Sequence, residues 1–205
     1  MGIMKGALTL RRYRVVGEVP EGFRGAYQDA LSDHAFREPT SALHAEETIG
    51  WCLAQNLLET DFSDINRWLY NHYLMAGFRL DKKVVPSKLF RAHRDLRIRE
   101  WCQEHGRDRA PSGVRAEIED ALLTEMLHQT LPRVQVVEWV WNVVDHWVLF
   151  HSTSNATNDR FRTHFRNTFG LNLEPFSPLE FLAESEGLAG QLEVQGISDY
   201  RPGTR

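Results

Sequence analysis

A helical segment bounded by two prolines, Pro86 and Pro132, interrupts a chain that otherwise contains many strand-like stretches. Residues 87–104 and 114–131 have the composition of helices, and a turn containing glycine and proline, from Gly106 to Gly113, separates them. Proline bounds a helix because it lacks an N–H and its ring clashes with the preceding turn. The sequence therefore predicts a pair of charged helices inserted into a different architecture.

The segments on either side of this pair alternate between strand and helix patterns. Strands are expected at residues 7–16, from Gly50, at 69–80, as a hairpin of 134–141 and 147–152, and at 171–176. Helices are expected at 23–31, at 158–169 and from a capping box that begins at Ser177. This order predicts an α+β fold, in which an antiparallel or mixed sheet carries packed helices and the inserted charged helical pair.

Three units follow from this pattern. Residues 1–86 and 133–190 would form a central α+β domain, and residues 87–132 an inserted helical tip subdomain. Residues 191–205 are expected to be a flexible tail.

The charge of the chain is unevenly distributed. Between Arg79 and Arg115 there are eleven Lys and Arg but five Asp and Glu, a net charge of +6 on a chain whose net charge is −4. We expect this zone, from Arg79 to Arg115, to be exposed to solvent as one positive face, which would suit contact with a polyanion. The alternative is an ordinary solvated helix whose charges pair locally, for example Arg91 with Asp95. A weaker basic group, Arg160, Arg162 and Arg166, fits the polar face of a helix whose other face carries Phe161, Phe165 and Phe169.

Composition excludes several classes of protein. The two cysteines, Cys52 and Cys102, are far apart and form neither a disulfide framework nor a zinc motif. The start of the chain lacks the apolar run of a signal peptide, and no apolar stretch reaches the roughly 20 residues of a membrane span. A cytoplasmic protein without membrane association is expected.

Residues that could support catalysis do not form a recognisable set. The nine histidines are scattered, no phosphate-binding glycine loop is present, and the spacing of Asp61, Asp64 and Asp81 is generic for nuclease carboxylates. The sequence predicts no catalytic residues, no metal site, no cofactor and no enzyme activity.

Trp139 and Trp141 alternate with other residues, so they share one face of the expected hairpin. That face is more often core than a dimer surface rich in tryptophan. Stacking of single-stranded bases on these rings is a third reading.

The segment Glu-Met-Leu-His-Gln-Thr-Leu-Pro-Arg, residues 125–133, resembles a hallmark of the bacterial RdgC family, in which a helix ending in Leu-Pro-Arg leads into a strand pair. Further similarities follow along most of the chain: Gly50-Trp51, residues 82–86, Trp141, residues 165–170 and residues 173–178. The chain resembles a short version of the family, without the C-terminal part of its longer members.

This resemblance implies a protein that binds double-stranded DNA without sequence preference, restrains strand exchange by a RecA-type recombinase, associates with the nucleoid and forms a homodimer. Nonspecific DNA binding needs cations that contact phosphates, and seven residues are candidates: Lys82, Lys83, Lys88, Arg91, Arg94, Arg97 and Arg133. The alternative function is a protein-interaction module, derived from such a domain, that does not bind DNA.

Overall fold

The computed structural model describes residues 9–38 and 47–176. The expected final helix from Ser177 and the expected tail at residues 191–205 lie outside these ranges, as do residues 7–8 of the first expected strand.

In the described residues, seven antiparallel strands form a single sheet, and the α+β fold class expected from the sequence is confirmed. The strands are β1 (Arg11–Val16), β2 (Thr48–Cys52), β3 (Leu69–Tyr70), β4 (Tyr73–Lys82), β5 (Arg133–Asn142), β6 (Trp147–Phe150) and β7 (Asn172–Pro175). Their spatial order is β2-β4-β5-β6-β1-β7, and β3 pairs separately with β4.

Two helices, α1 (Phe23–Asp33) and α4 (Asn155–Phe169), lie against one face of this sheet. Directly paired residues of antiparallel strands share a face, so Trp139 and Phe150 point to the same side as Trp141. Phe161, Phe165 and Phe169 of α4 contact the rings of Trp139 and Trp141, as their spacing of four residues requires. The tryptophan pair is therefore core.

The other two helices, α2 (Ser87–Glu104) and α3 (Ser112–Gln129), form a hairpin that connects β4 to β5. These bounds agree with the inserted helical pair expected between the two prolines. All 18 residues of α2 are described and none is buried, whereas α3 buries Leu122 and Leu127. The hairpin thus has little core of its own.

Two expected elements differ from the observed ones. The strand expected at residues 69–80 is a tight hairpin, because Asn71 adopts a left-handed backbone conformation (φ 60°) and reverses the chain between β3 and β4. The helix expected from residue 158 begins at Asn155, because the Ser154 hydroxyl accepts a hydrogen bond from the N–H of Thr157 and caps the helix earlier. Its end at Gly170 (φ 70°) follows the sequence pattern.

Candidate nucleic-acid interface

The ends of β4 and β5 bring two cations together where the sheet meets the helical hairpin. Lys82 and Arg133 are direct partners in the antiparallel register, and both side chains are exposed. Directly opposed side chains have Cβ atoms about 5 Å apart, and like charges in this position destabilise a sheet. Among the described residues neither cation has an acid within ion-pair distance, so this end of the sheet presents uncompensated positive charge.

Three further predicted residues lie on the approach to α2 or in its first turns. Lys88 and Arg91 are exposed, and no acid of the described ranges pairs with them. The half-buried Lys83 donates a hydrogen bond of 2.8 Å from Nζ to the carbonyl oxygen of Leu127, near the C-terminus of α3. This contact satisfies a carbonyl at a helix end, where a cation is favoured by the helix dipole. Lys83 thereby joins the approach to α2 with the end of α3.

Arg94 and Arg97 cross from α2 to α3 instead of extending into solvent. Arg94 pairs with Asp95 of its own helix at 2.8 Å and with Glu119 at 3.5 Å, and Arg97 pairs with Glu125. The carboxylate of Asp95 is the main reason that the pKa of Arg94 is raised. Both arginine side chains remain about a third exposed, so they retain surface that a ligand can reach.

Arg79 does not belong to the exposed basic zone, which corrects the expectation that the whole zone from Arg79 to Arg115 faces solvent. Its side chain is buried, and it forms a two-pronged ion pair with Asp81 at 2.9 and 2.7 Å. The guanidinium also lies 3.9 Å from the ring centre of Phe36 and donates to the carbonyl oxygen of Leu57. Strand alternation explains the difference, because Arg79 points to the sheet face that Phe36 covers.

The alternative local pairing of Arg91 with Asp95 is also wrong, since Asp95 pairs with Arg94. In the second basic group, Arg160 pairs with Glu47 at 2.8 Å and Arg162 donates to the carbonyl oxygen of Leu173. That group therefore behaves as the polar face of α4.

Three further arginines of the basic zone lie at the opposite end of the hairpin: Arg107, Arg109 and Arg115. The first two are exposed and Arg115 is half-buried at the start of α3, so the zone does not form one continuous face with the cations at the end of the sheet.

The family model whose description reads "Putative exonuclease, RdgC" matches residues 10–186. This match covers most of the 205 residues, including the sheet, both core helices and the helical hairpin. The chain belongs to the RdgC family. No curated protein matches the sequence significantly.

The description of the RdgC family names an exonuclease, and the three aspartates that could serve as nuclease carboxylates each contact a neighbouring group of the fold. Asp61 accepts hydrogen bonds from the N–H and the hydroxyl of Ser63, which lower the pKa of its carboxyl group. Asp64 caps a short 3₁₀ helix, and Asp81 is neutralised by Arg79. Within residues 9–38 and 47–176, no three His, Cys, Asp or Glu side chains are grouped so that they could hold a metal ion.

The described part of this RdgC family member contains no helix that is long and apolar enough to cross a membrane.

Proposed function

We propose that this protein binds double-stranded DNA without sequence preference and modulates homologous recombination, and that it does so by binding rather than by catalysis. Membership of the RdgC family supports an association with DNA and recombination. Each of the three aspartates considered as nuclease carboxylates has a separate structural partner, which favours binding over cleavage.

The observation that carries this proposal is the opposed pair Lys82 and Arg133 at the end of the sheet. Two neighbouring cations without an acid repel each other and lower the stability of the free protein. A phosphate bound between them would compensate for this repulsion. The predicted interface extends from this pair through Lys83, Lys88 and Arg91, with Arg94 and Arg97 further along α2. Because phosphate contacts carry no base information, such an interface would bind all duplex sequences about equally.

The test is a titration with random-sequence duplex DNA at several salt concentrations. Replacing Lys82 and Arg133 together by Gln should weaken binding and make the log–log salt slope shallower by about 2, since each phosphate contact contributes about 0.9. The matched control replaces Arg24 and Arg37, two exposed arginines of the described ranges that form no ion pair there, and should leave the slope unchanged.

The results separate the two candidate functions. An equal effect of both double variants would show that the DNA does not contact the end of β4 and β5. A parent protein that does not bind duplex DNA even at low salt would favour the alternative of a protein-interaction module.

We further propose a homodimer that restrains a RecA-type recombinase and associates with the nucleoid in the cytoplasm. The homodimer and the restraint are what the family resemblance implies. The tryptophan hairpin no longer supports dimerisation, because Trp139 and Trp141 are buried in the core. A monomer mass in light scattering at micromolar concentration would contradict the dimer, and undiminished RecA-driven strand exchange in its presence would contradict the restraint.

A further inference from the structure

Helices α1 and α4 pack on one face of the sheet, and the opposite, outer face carries an apolar row of its own. Five side chains follow one another across the strands on this face, because each is the direct cross-strand neighbour of the next: Phe176, Arg12, Leu149, Val140 and Met75. This outer row runs from the end of β7 over β1, β6 and β5 to β4. Its last three members are apolar side chains on adjacent strands.

The outer face is more apolar than a solvated sheet face would be. A strand with one face in water normally carries polar residues at its outward positions. In β5 these positions include Val134, Val136 and Val140 beside a single acid, Glu138. Val140 is 8% exposed although it points away from α1 and α4, and Met75 is half-buried. These side chains therefore form a surface suited to packing.

The described chain leaves the sheet at one end of the outer row. Phe176 donates a hydrogen bond of 3.0 Å from its N–H to the carbonyl oxygen of Arg12, which extends the pairing of β7 with β1. The guanidinium carbon of Arg12 lies 4.3 Å from the centre of the Phe176 ring and 5.6 Å from the centre of the Trp147 ring. The Phe176 ring is thus held on the outer face, and the chain that follows starts from there.

Residues 177–190 lie outside the described ranges, but their sequence predicts a short helix. Ser-Pro-Leu-Glu at 177–180 is a capping box with proline at the first helical position. Gly187 is suited to end the helix, because glycine readily adopts the left-handed conformation found just after a helix C-terminus. The predicted helix therefore comprises residues 178–186.

The same pattern indicates which side of this helix meets the sheet. In a hydrophobic staple, the residue before the cap packs against the fourth helical residue, and here these are Phe176 and Phe181. Helical periodicity places Leu182 beside Phe181 and turns Glu180 and Glu184 to the other side. Because Phe176 is held on the outer face, the staple directs the apolar side of the helix to the outer row.

We propose that residues 178–186 form a helix that docks on the outer row, with Phe181 and Leu182 against Leu149 and Val140. Nine helical residues span about 14 Å, which matches the about 14 Å of three strand spacings from β7 to β5. A segment of the same chain is favoured over a second copy, because its short connection keeps it at a high effective concentration beside the face. This inference is independent of the proposed DNA binding.

NMR contacts in the full chain test the docking. With labelled methyl groups and phenylalanine rings, nuclear Overhauser contacts are expected between residues 178–186 and the methyl groups of Leu149 or Val140. A mixture of differently labelled copies distinguishes contacts within one chain from contacts between chains. Contacts that occur only between copies would show that a second copy covers the face. That result, or the absence of any contact, would overturn the proposal.

Two matched double variants of the full chain test whether the apolar side holds the helix in place. Phe181→Ala/Leu182→Ala removes the side chains that contact the sheet. Glu180→Gln/Glu184→Gln changes two residues on the other side of the same helix and keeps the capping box, which accepts glutamine in place of glutamate.

The readout is the access of a soluble paramagnetic probe to methyl groups of the sheet. The probe should relax the methyl groups of Leu149 severalfold faster in the alanine variant than in the parent, and equally in the glutamine variant and the parent. The methyl groups of Leu74, which point from β4 into the core, should stay protected in all three proteins if the sheet is intact. Equal access to Leu149 in both variants would contradict docking through the apolar side.

Discussion

Arg79 and Asp81 place two opposite charges on one face of a central strand, where both side chains are nearly inaccessible to solvent. Burial of a charge is costly, and a buried pair recovers that cost only with good geometry and with its remaining hydrogen bonds satisfied. Here the guanidinium has the two carboxylate oxygens, the carbonyl oxygen of Leu57 and the ring of Phe36 as partners. The pair thereby fixes two loop segments to the sheet.

Removing one partner of the ion pair should therefore lower the free energy of unfolding much more than removing both partners together. We expect Arg79→Met to lower the free energy of unfolding by about 3 to 5 kcal/mol, because Asp81 is left buried and uncompensated. The double variant Arg79→Met/Asp81→Leu should recover a substantial part of that loss. Urea unfolding of the two single variants and the double variant measures the coupling, and strictly additive effects would contradict it.

His164 is a second residue whose charge state is coupled to the fold. Its Nε2 atom is shielded from solvent without a described partner, and its ring centre lies 4.4 Å from that of Trp51. Burial, and secondarily the neighbouring His34, lower the pKa of His164 to about 4. The neutral imidazole is thus the form that packs against the sheet.

This shift predicts a loss of stability in mild acid. The unfolded chain takes up the proton near pH 6.5 and the folded one only near pH 4, so the contribution of His164 is complete above about pH 6.5 and declines as the pH falls towards 4. The loss should reach about 3 kcal/mol. Urea unfolding at pH 7 and pH 4.5 measures it, and His164→Gln, which cannot titrate, should show a smaller difference between the two pH values. Equal differences would contradict the prediction.

At the residue scale, the sequence predicts which side chains are cationic but not which of them are available. Arg79 and Lys82 both belong to β4 and to the same basic zone, but they point to opposite faces of the sheet. Arg97 finds its acid on α3, and so does Arg94 for the second of its two ion pairs, about 25 residues away in the chain; helix periodicity within α2 cannot reveal such partners.

The helical hairpin is the element that depends least on the core. No side chain of α2 is buried, and its ion pairs to α3 involve half-exposed groups that stabilise by at most about 1 kcal/mol each. The strands β4 and β5, by contrast, pair along ten residues and carry the tryptophan core. Local opening should therefore be easier in α2 than in the sheet.

Hydrogen exchange measures this difference directly. We expect the amides of α2 to exchange faster than those of β4 and β5 by at least about tenfold, which corresponds to about 1.4 kcal/mol in opening free energy. Bound duplex DNA should slow exchange in α2, since the proposed interface includes its first turns. Equal protection of α2 and β4 in the free protein would show that the hairpin opens only with the whole fold.

At the element scale, local signals succeed where one residue type decides the geometry. The two prolines bound the helical pair, Gly170 ends α4, and the aromatic spacing of α4 identifies its buried face. The strand expected at residues 69–80 is divided because Asn71 reverses the chain, although the apolar pattern runs through it without interruption. Asparagine only tolerates that conformation, so its presence alone does not predict a turn.

At the scale of the whole molecule, the order of the strands in the sheet cannot be predicted from local sequence patterns. The sequence indicates the β5–β6 hairpin because its turn is short, whereas β1 reaches β6 and β7 across more than a hundred residues. Pairings of this kind depend on which apolar faces of distant segments fit together. The apolar periodicity within one segment does not contain that information. The juxtaposition of Lys82 and Arg133 is likewise a product of the β4–β5 register, although 50 residues separate the two in the chain.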